Sequence, residues 1–502
     1  MAKETKVADA APVPSAAGTT EAPGSLLDQA IETYTKTRKP EAEASNKAKS
    51  VIESLIKQAM EAAPGSFVAN DVEKTIKLWQ AEIDRKLSAQ LNQIMHHEKF
   101  QKLEGTWRGL DYLVKNSETS TYLKLRVLNA SKKTLLRDLQ NASEFDQSLT
   151  FKKIYTAEYD QLGGTPYGLL VGDYEFSAHP EDMDFLQKMS GVAASAHAPF
   201  VAAAAPKMLD MESFTGLNQP RDLAKIFESE DYTVWRSFRD SPDSKYVALT
   251  LPRVLARLPY GQATKPVDEF RYEEGVDGTS HDKYSWMNAA WAYAARVTDA
   301  FAKDGWFMRT RGVESGGKVE GLPIHVFQEG GGKAIKCPTE VLIPDRRENE
   351  LSSLGFLPLL HCKNSDYAAF LGASSCNKPA TYRGSPEASA SAELSAKLSY
   401  MLCASRFAHY LKVIARDKIG SMMEEFDMKQ MLNNWINQYV CDPKIAGEET
   451  RAKNPLSAAD VEVESVPGKP GWYRAVARLR PHFQFEGLNA SMRLVADLPK
   501  KK

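Results

Sequence analysis

The C-terminal end of the chain contains two runs in which small or apolar residues occupy every second position, and this pattern constrains the fold most. The first run places Tyr473, Ala475, Ala477 and Leu479 in alternation, and the second places Leu488, Ala490, Met492 and Leu494. Two such runs around a turn at residues 486–487 predict a β-hairpin. The preceding residues 466–471 contain two prolines and two glycines and are predicted to be a linker.

A lone two-stranded ribbon is marginally stable in water, because its two edges carry backbone groups without hydrogen-bond partners. The predicted hairpin must therefore pack on the core of its own chain or pair with strands supplied from elsewhere. Packing on the same chain is the commoner outcome, and the alternation by itself leaves both possibilities open.

The middle of the chain alternates strand-like and helix-like segments from about residue 120, which predicts a mixed α/β core with a largely buried sheet. The predicted strands are residues 123–128, 167–171, 200–204, 246–251 and 324–328. The predicted helices are residues 131–139, 181–196, 286–301 and 392–419, the last ended by Gly420. Residues 189–206 lack a formal charge but are short and alanine-rich, so we predict a buried helix and strand there, not a membrane span.

The N-terminal region has a different composition. Residues 1–24 are rich in Ala, Pro, Gly and Thr and are predicted to be a disordered tail, with no apolar run typical of a secretory signal. Ser25 then begins a short amphipathic helix, and residues 70–100 contain a second amphipathic helix. The first helix either folds back on the chain's own core, the commoner outcome, or is a tethered binding motif.

Composition narrows the class of protein. Of the 502 residues, 43% are hydrophobic and 26% are charged, as in globular proteins, and the net charge is −1. This charge provides no long-range attraction to nucleic acid or to acidic membranes. The five cysteines are odd in number and widely spaced, which predicts reduced thiols and no zinc site.

Three short motifs imitate enzyme sites but lack the required spacing. The run Gly330–Lys333 is followed by Ala334, whereas a phosphate-binding loop needs Ser or Thr at that position. His96 and His97 are adjacent and would point apart on a helix, so a polar helix end is predicted there. His361 and Cys362 are also adjacent and lack a nucleophile signature. The sequence therefore predicts no catalytic residue, cofactor or metal.

Five segments together resemble a known family. They are residues 103–113 (LEGTWRGLDYL), 200–206 (FVAAAAP), 251–261 (LPRVLARLPYG), 339–345 (TEVLIPD) and 401–416 (MLCASRFAHYLKVIAR). In this order they resemble the large sheath subunit of the bacterial type VI secretion system, in the contractile tail sheath family. The resemblance implies a flexible arm at residues 25–100, a sheath core of two subdomains at residues 101–440, and a C-terminal part at residues 441–502 whose hairpin exchanges strands between subunits.

The resemblance also implies a function and partners. Such a subunit forms a heterodimer with a small sheath subunit, and further copies stack as helical rings around an inner tube protein on a baseplate. Contraction of the sheath propels the tube and its spike out of the cell. An AAA+ unfoldase then recycles the sheath, and Leu26, Leu27, Asp28 and Ile31 resemble the helix that it recognises. The protein would be cytoplasmic in a bacterium, structural and not an enzyme, with no nucleic-acid partner and no direct membrane insertion.

Arg406, Lys412 and Arg416 in the last of these segments are candidates for facing the tube, whereas a position at the rim of the core is the commoner role for such cations. Two other functions remain open. A phage-tail or tailocin sheath protein would share the fold but normally needs neither a recycling helix nor a small subunit. An α/β enzyme would show turnover at a saturable small-molecule site.

Overall fold

The computed structural model describes residues 72–219, 221–468 and 472–484. The chain divides into two compact units, residues 1–83 and 84–502, and the described part of the first unit is the N-terminal half of helix α1. The predictions for residues 1–24, for the helix containing Leu26 and for the run from Leu488 to Leu494 fall outside the described residues. The predicted boundaries at residues 100 and 440 stay predictions.

Helices and strands are mixed throughout the described part of the chain, which confirms the α/β class. The helices are α1 (Val72–Met95), α2 (Glu98–Lys115), α3 (Lys132–Asn141), α4 (Leu149–Phe151), α5 (Pro180–Ala196), α6 (Leu223–Glu228), α7 (Thr233–Asp240), α8 (Ala289–Asp304), α9 (Asp345–Ser353), α10 (Pro386–Ser395), α11 (Leu398–Asp417), α12 (Glu425–Ile436) and α13 (Glu448–Lys453). The strands are β1 (Leu170–Phe176), β2 (Phe200–Ala204), β3 (Val247–Leu251), β4 (Val254–Leu255), β5 (Trp286–Met287), β6 (Lys318–Val319), β7 (His325–Glu329), β8 (Gly332–Lys336), β9 (Phe356–Pro358), β10 (Leu360–His361), β11 (Ala368–Ala369), β12 (Leu456–Ser465) and β13 (Tyr473–Pro481).

A parallel four-stranded sheet with the order β1-β2-β3-β9 lies at the centre. Alternate residues of a strand face opposite sides of a sheet, and both sides are covered here. Phe200 and Ala202 pack in a core with α5, whereas Val201 and Ala248 pack in a second core with α8. This double burial explains why β2 and β3 are continuous apolar runs.

The uncharged run at residues 189–206 comprises the second half of α5 and then β2, as predicted. Helix α5 begins with Pro180 in its first turn and ends where His197 adopts a left-handed conformation with φ of 49°. Within the described ranges, every helix is too short or too polar to span a bilayer.

Three predicted elements differ in the structure. Residues 123–128 form no strand, although Ser131 caps α3 as its position predicts. The predicted helix at residues 392–419 is divided into α10 and α11 at an extended Lys397. The helix breaks because a neighbouring segment takes its backbone groups: Ser375 donates to the Ala396 carbonyl, and the N–H of Leu398 donates to the Ala373 carbonyl at 2.6 Å. The single helix predicted at residues 70–100 is also divided, because α1 ends at Met95 and α2 begins at Glu98. The other elements predicted within the described residues lie within a few residues of the observed ones.

A third core holds the C-terminal part of the chain together. The rings of Trp306 and Phe407 stack 4.2 Å apart, and Ile436 of α12 and Val461 of β12 are buried in the same cluster. This core fixes the position of the C-terminal ribbon, defined here as β12 and β13.

Candidate assembly surfaces

The C-terminal ribbon pairs β13 with β12 in an antiparallel register that runs from Ser465 opposite Tyr473 to Leu456 opposite Pro481. Residues 466–471 therefore lie between two paired strands, so the prediction of a linker before a hairpin that begins at Tyr473 is wrong. Val461 and Val463 alternate with acidic residues, so a period-two signal for β12 was present in the sequence but was missed. These valines fill the third core, which explains why β12 pairs here.

One edge of the ribbon is occupied by side chains of α12. The N–H of Val461 donates to Asn433 Oδ1 at 2.9 Å, and the Val461 carbonyl accepts from Asn433 Nδ2 at 2.8 Å. The N–H of Ser465 donates to Glu425 Oε2 at 3.2 Å. An incoming strand could not pair with this edge of β12 without displacing α12.

The other edge of the ribbon is the outer edge of β13. Val461 directs its backbone groups away from β13, so Val461 and Ala477 form a non-hydrogen-bonded pair, and Ala477 directs its own groups outward as well. The same alternation directs the backbone groups of Tyr473, Ala475 and Leu479 to this edge. Within the described residues no strand pairs with it.

The side chains of β13 are exposed along most of its length, including Arg474, Val476 and Arg478. Trp472 just before the strand is 64% exposed, and Arg478 pairs with Glu462 across the ribbon at 3.0 Å. An exposed strand with an unpaired edge is a template on which another chain can add a strand. The ribbon is therefore a candidate assembly surface.

The three cations of α11 make contacts within the chain. Lys412 Nζ lies 2.8 Å from Asp160 Oδ1 and 3.8 Å from the centre of the Tyr159 ring. Arg416 donates to the Tyr159 carbonyl at 2.7 Å, and Arg406 donates to the Tyr410 hydroxyl at 3.1 Å. All three are half-buried at the rim of the core. A further contact with a tube protein stays a prediction.

His409 lies on the same helix and is almost completely buried. Its Nε2 lies 2.9 Å from the Ala196 carbonyl, and Arg406, His197 and Lys412 are close by. Burial lowers the pKa of His409 to about 4, and the neighbouring cations act in the same direction. The folded chain therefore keeps this imidazole neutral at pH values where an unfolded chain would protonate it.

We expect His409 to make the stability of the chain depend on pH. The unfolded chain binds the proton with a pKa near 6.5, so the stabilisation by neutral His409 is complete above that pH and is lost as the pH falls toward 4. When the pH is lowered from 7 to 5, the free energy of unfolding of the wild type should fall by about 2 kcal/mol more than that of the His409→Gln variant. Urea unfolding of both proteins at the two pH values measures this difference, and equal losses would contradict the assignment.

The motifs that imitate enzyme sites have structural roles. His97 caps α2 by accepting the Lys99 N–H at Nδ1, which confirms the predicted polar helix end. Gly330 and Gly331 form the turn between β7 and β8 with φ of 57° and 87°, a conformation that favours glycine. Among the described residues, no cluster of three or more His, Cys, Asp or Glu side chains could hold a metal ion.

His361 hydrogen-bonds to Cys337, a residue 24 positions away along the chain, and not to its neighbour Cys362 in a catalytic pair. Burial by itself raises the pKa of the Cys337 thiol, but this hydrogen bond and one from Thr339 lower it overall. Thr339 Oγ1 lies 3.1 Å from the sulfur. The thiol is thus held by polar neighbours inside the fold, and its contact with His361 has no counterpart in the sequence pattern.

A buried ion-pair network joins two of the segments that carry the family resemblance. Arg257 Nε lies 2.5 Å from Glu104 of α2, and its Nη1 lies 2.6 Å from Glu274. These three side chains are between 1% and 9% exposed. Desolvation alone would lower the pKa of Arg257, but the hydrogen bonds that its guanidinium donates to the two carboxylates raise it overall. The sequence contains no signal for this contact, since Glu104 and Arg257 are 153 residues apart.

A polar cleft of about 890 Å³ opens beside the carboxyl ends of β1, β2 and β3. Two ion pairs line it: Lys132 with Asp182 at 2.7 Å, and Arg253 with Glu175 at 2.6 Å. Asp173 has a raised pKa because of burial, and it accepts from Thr106 at 2.5 Å. This geometry ties α2 and α3 to the sheet.

Comparison with known proteins identifies the family. Residues 78–377 match the family model VipB, described as EvpB/VC_A0108, tail sheath N-terminal domain. Residues 387–498 match VipB_2, described as EvpB/VC_A0108, tail sheath gpW/gp25-like domain. The chain is also 50% identical over 469 residues to the type VI secretion system sheath protein TssC1 of Pseudomonas aeruginosa. This alignment covers 92% of this chain and 94% of that protein.

Two solved structures of the anti-feeding prophage are weakly similar. They are its six-fold symmetrised baseplate, with a TM-score of 0.37, and its helical sheath in the contracted state, with a TM-score of 0.31. Each is 11% identical and covers 78% of this chain and 86% of the other. The assignment rests on the family models and on the relative from P. aeruginosa. The chain belongs to the tail sheath proteins of type VI secretion systems, a family of structural proteins and not of enzymes.

Proposed function

We propose that this chain is the large subunit of a contractile sheath. It pairs with a small sheath subunit, and the heterodimers polymerise with further copies around an inner tube protein on a baseplate. Contraction of this sheath in the bacterial cytoplasm propels the tube and its spike out of the cell. The relation to the sheath protein of P. aeruginosa, over almost the full length of both chains, supports a sheath role.

The outer edge of β13, with which no strand of the described residues pairs, is the observation that carries the assembly mechanism. Because α12 occupies the edge of β12, an incoming strand pairs with β13. Exchanged strands keep neighbouring subunits connected while their other interfaces slide between the extended and contracted packings. The run from Leu488 to Leu494, with its alternating pattern, is the segment that we propose to exchange.

Recycling requires a motif whose exposure depends on the state of the sheath. We assign this role to Leu26, Leu27, Asp28 and Ile31, which an AAA+ unfoldase binds once contraction exposes them. ATP is then hydrolysed by the unfoldase and not by this chain. The amphipathic pattern of these residues supports the assignment.

Co-expression with the small sheath subunit tests both parts of the proposal. The wild type should form tubules that negative-stain electron microscopy detects and that the unfoldase disassembles with ATP. A variant with Leu26→Glu and Leu27→Glu should form the same tubules but resist disassembly, since the apolar face of the motif is lost. Gln29→Glu, which leaves that face intact, is the matched control. Absence of tubules from the wild type would refute the sheath role, and normal disassembly of the double variant would refute the motif.

A further inference from the structure

Cys337 and His361 form a thiol–imidazole pair that the proposed function does not use. Cys337 directly follows β8, and His361 is the last residue of β10. Both side chains are partly exposed. The side chain of His361 hydrogen-bonds to the Cys337 sulfur, so a nucleophile and a base are in direct contact.

A backbone carbonyl determines which ring nitrogen of His361 carries the proton. His361 Nε2 lies 2.9 Å from the Ser365 carbonyl, which can only accept a hydrogen bond, so Nε2 is the protonated nitrogen. Nδ1 of the neutral ring then carries the lone pair that can take up the thiol proton. A nucleophile beside a base that a third group orients is the arrangement that activates cysteine.

The surroundings of the sulfur favour its thiolate form. The Thr339 hydroxyl lies 3.1 Å from the sulfur, and the Thr339 backbone N–H also hydrogen-bonds to it. Burial alone would raise the pKa of the Cys337 thiol, but the hydrogen bonds with His361 and Thr339 lower it overall. Burial alone would lower the pKa of His361, but its hydrogen bond to Cys337 raises it overall. The proton is thus drawn from the sulfur toward the ring, which leaves the nucleophilic form of cysteine.

Three of the other cysteines lack this combination of access and a base. Cys376 and Cys403 are completely buried, and burial raises the pKa of both thiols. Cys362 is exposed, and hydrogen bonds with the side chains of Tyr367 and Ser365 lower its pKa. These two partners are hydroxyl groups, which take up no proton at neutral pH.

Cys441 is the most similar cysteine and differs in its hydrogen bonds. It is partly exposed like Cys337, and its sulfur lies 3.1 Å from His482 Nε2. Its thiol, however, donates to the Asn454 carbonyl, an acceptor that holds the proton on the sulfur. Burial raises the pKa of Cys441 and lowers that of His482. Contact with an imidazole is therefore not sufficient, and Cys441 serves as an internal control.

We propose that Cys337 is a site of S-thiolation, at which a low-molecular-weight disulfide transfers one of its halves to the chain. The Cys337 thiolate attacks one sulfur of the disulfide, so that a new S–S bond forms while the original S–S bond breaks. The leaving thiolate takes the proton that His361 holds, and the ring returns to its neutral form. Atoms and charge then balance, because the disulfide is itself the oxidant. Excess thiol reverses the reaction by the same route, so the site stays reduced until small disulfides accumulate.

Reaction of the purified full-length chain with glutathione disulfide tests the proposal without any variant. Mass spectrometry of the digested chain measures the rate of adduct formation at each cysteine. At pH 7 Cys337 should react about tenfold faster than Cys441, and dithiothreitol should remove the adduct. From pH 7 to pH 8 the Cys337 rate should change little, whereas the Cys441 rate should rise about tenfold. A Cys337 rate no greater than that of Cys441, an equal rise with pH, or an adduct confined to Cys362 would overturn the proposal.

A His361→Gln variant tests the proton transfer. Glutamine is polar but cannot take up the thiol proton, so the Cys337 rate at pH 7 should fall about tenfold. At pH 10 the rate should match that of the wild type, because hydroxide then removes the proton, whereas a purely structural role would lower both rates. Cys362→Ser is the matched control and should leave the Cys337 rate unchanged. Equal rates for His361→Gln and the wild type at pH 7 would overturn the assignment.

Discussion

Replacing Ala477 with proline should abolish sheath tubules while leaving the chain folded and able to bind the small subunit. The N–H of Ala477 points to the outer edge of β13 and away from β12, so proline removes a donor for an incoming strand without breaking the ribbon. The side chain at this position is exposed, which leaves room for the ring. Negative-stain microscopy of co-expressed subunits, together with circular dichroism of the variant, measures both parts of this result.

The matched control is Ala477→Thr, which adds bulk at the same position but keeps the N–H, and it should still form tubules. Proline at Val476 is the opposite case, because the backbone groups of that residue point toward Glu462 of β12. That variant should disrupt the ribbon itself. Normal tubules from Ala477→Pro would show that strand addition does not occur at this edge.

Removing the charge of Arg257 should lower the free energy of unfolding more than removing one charge from any other ion pair described above. Arg257→Met leaves Glu104 and Glu274 buried without their main counter-charge, and such a change costs about 3 kcal/mol of unfolding free energy. Urea denaturation followed by tryptophan fluorescence measures it. The effect arises because the two carboxylates have lost their exchange with water and are compensated chiefly by this guanidinium.

Arg108→Met is the matched control, because Arg108 also contacts Glu104, at 2.7 Å, but its side chain is 30% exposed. Losing the ion pair between Arg108 and Glu104 should lower the free energy of unfolding by about 1 kcal/mol or less, as for other solvent-screened pairs. A triple variant, with Glu104→Gln and Glu274→Gln added to Arg257→Met, should recover much of the lost stability. Equal costs for Arg257→Met and Arg108→Met would contradict the role of burial.

Local pattern was sufficient to predict the central elements of the fold. Both β2 and β3 are short continuous apolar runs, and Ser131 caps the helix that follows it, as its side chain predicts. These features depend on residues close together in the chain, on caps and on burial of both sheet faces. The five segments that resemble the sheath family were likewise readable from sequence, and the family models agree.

Elements that depend on a distant partner were predicted less well. The helical period runs through Lys397, but the helix breaks there because residues 373–375 take the backbone groups of Ala396 and Leu398. Residues 123–128 have the period of a strand but lack a neighbour in register within the described chain. A period describes which face of a segment is buried and contains no information on what covers that face.

The sequence alone determined the α/β class and the presence of a strand at residues 473–479, because alternation and capping are local properties. It also determined the family, because the five segments that resemble the sheath proteins are each continuous in the chain. Only the tertiary structure decided that β12 is the partner of this strand, that Asn433 and Glu425 occupy the other edge of the ribbon, and that Arg257 meets Glu104. The physical reason is that backbone pairing and charge pairing depend on distances in space, and residues far apart in the chain become neighbours only when the core has packed.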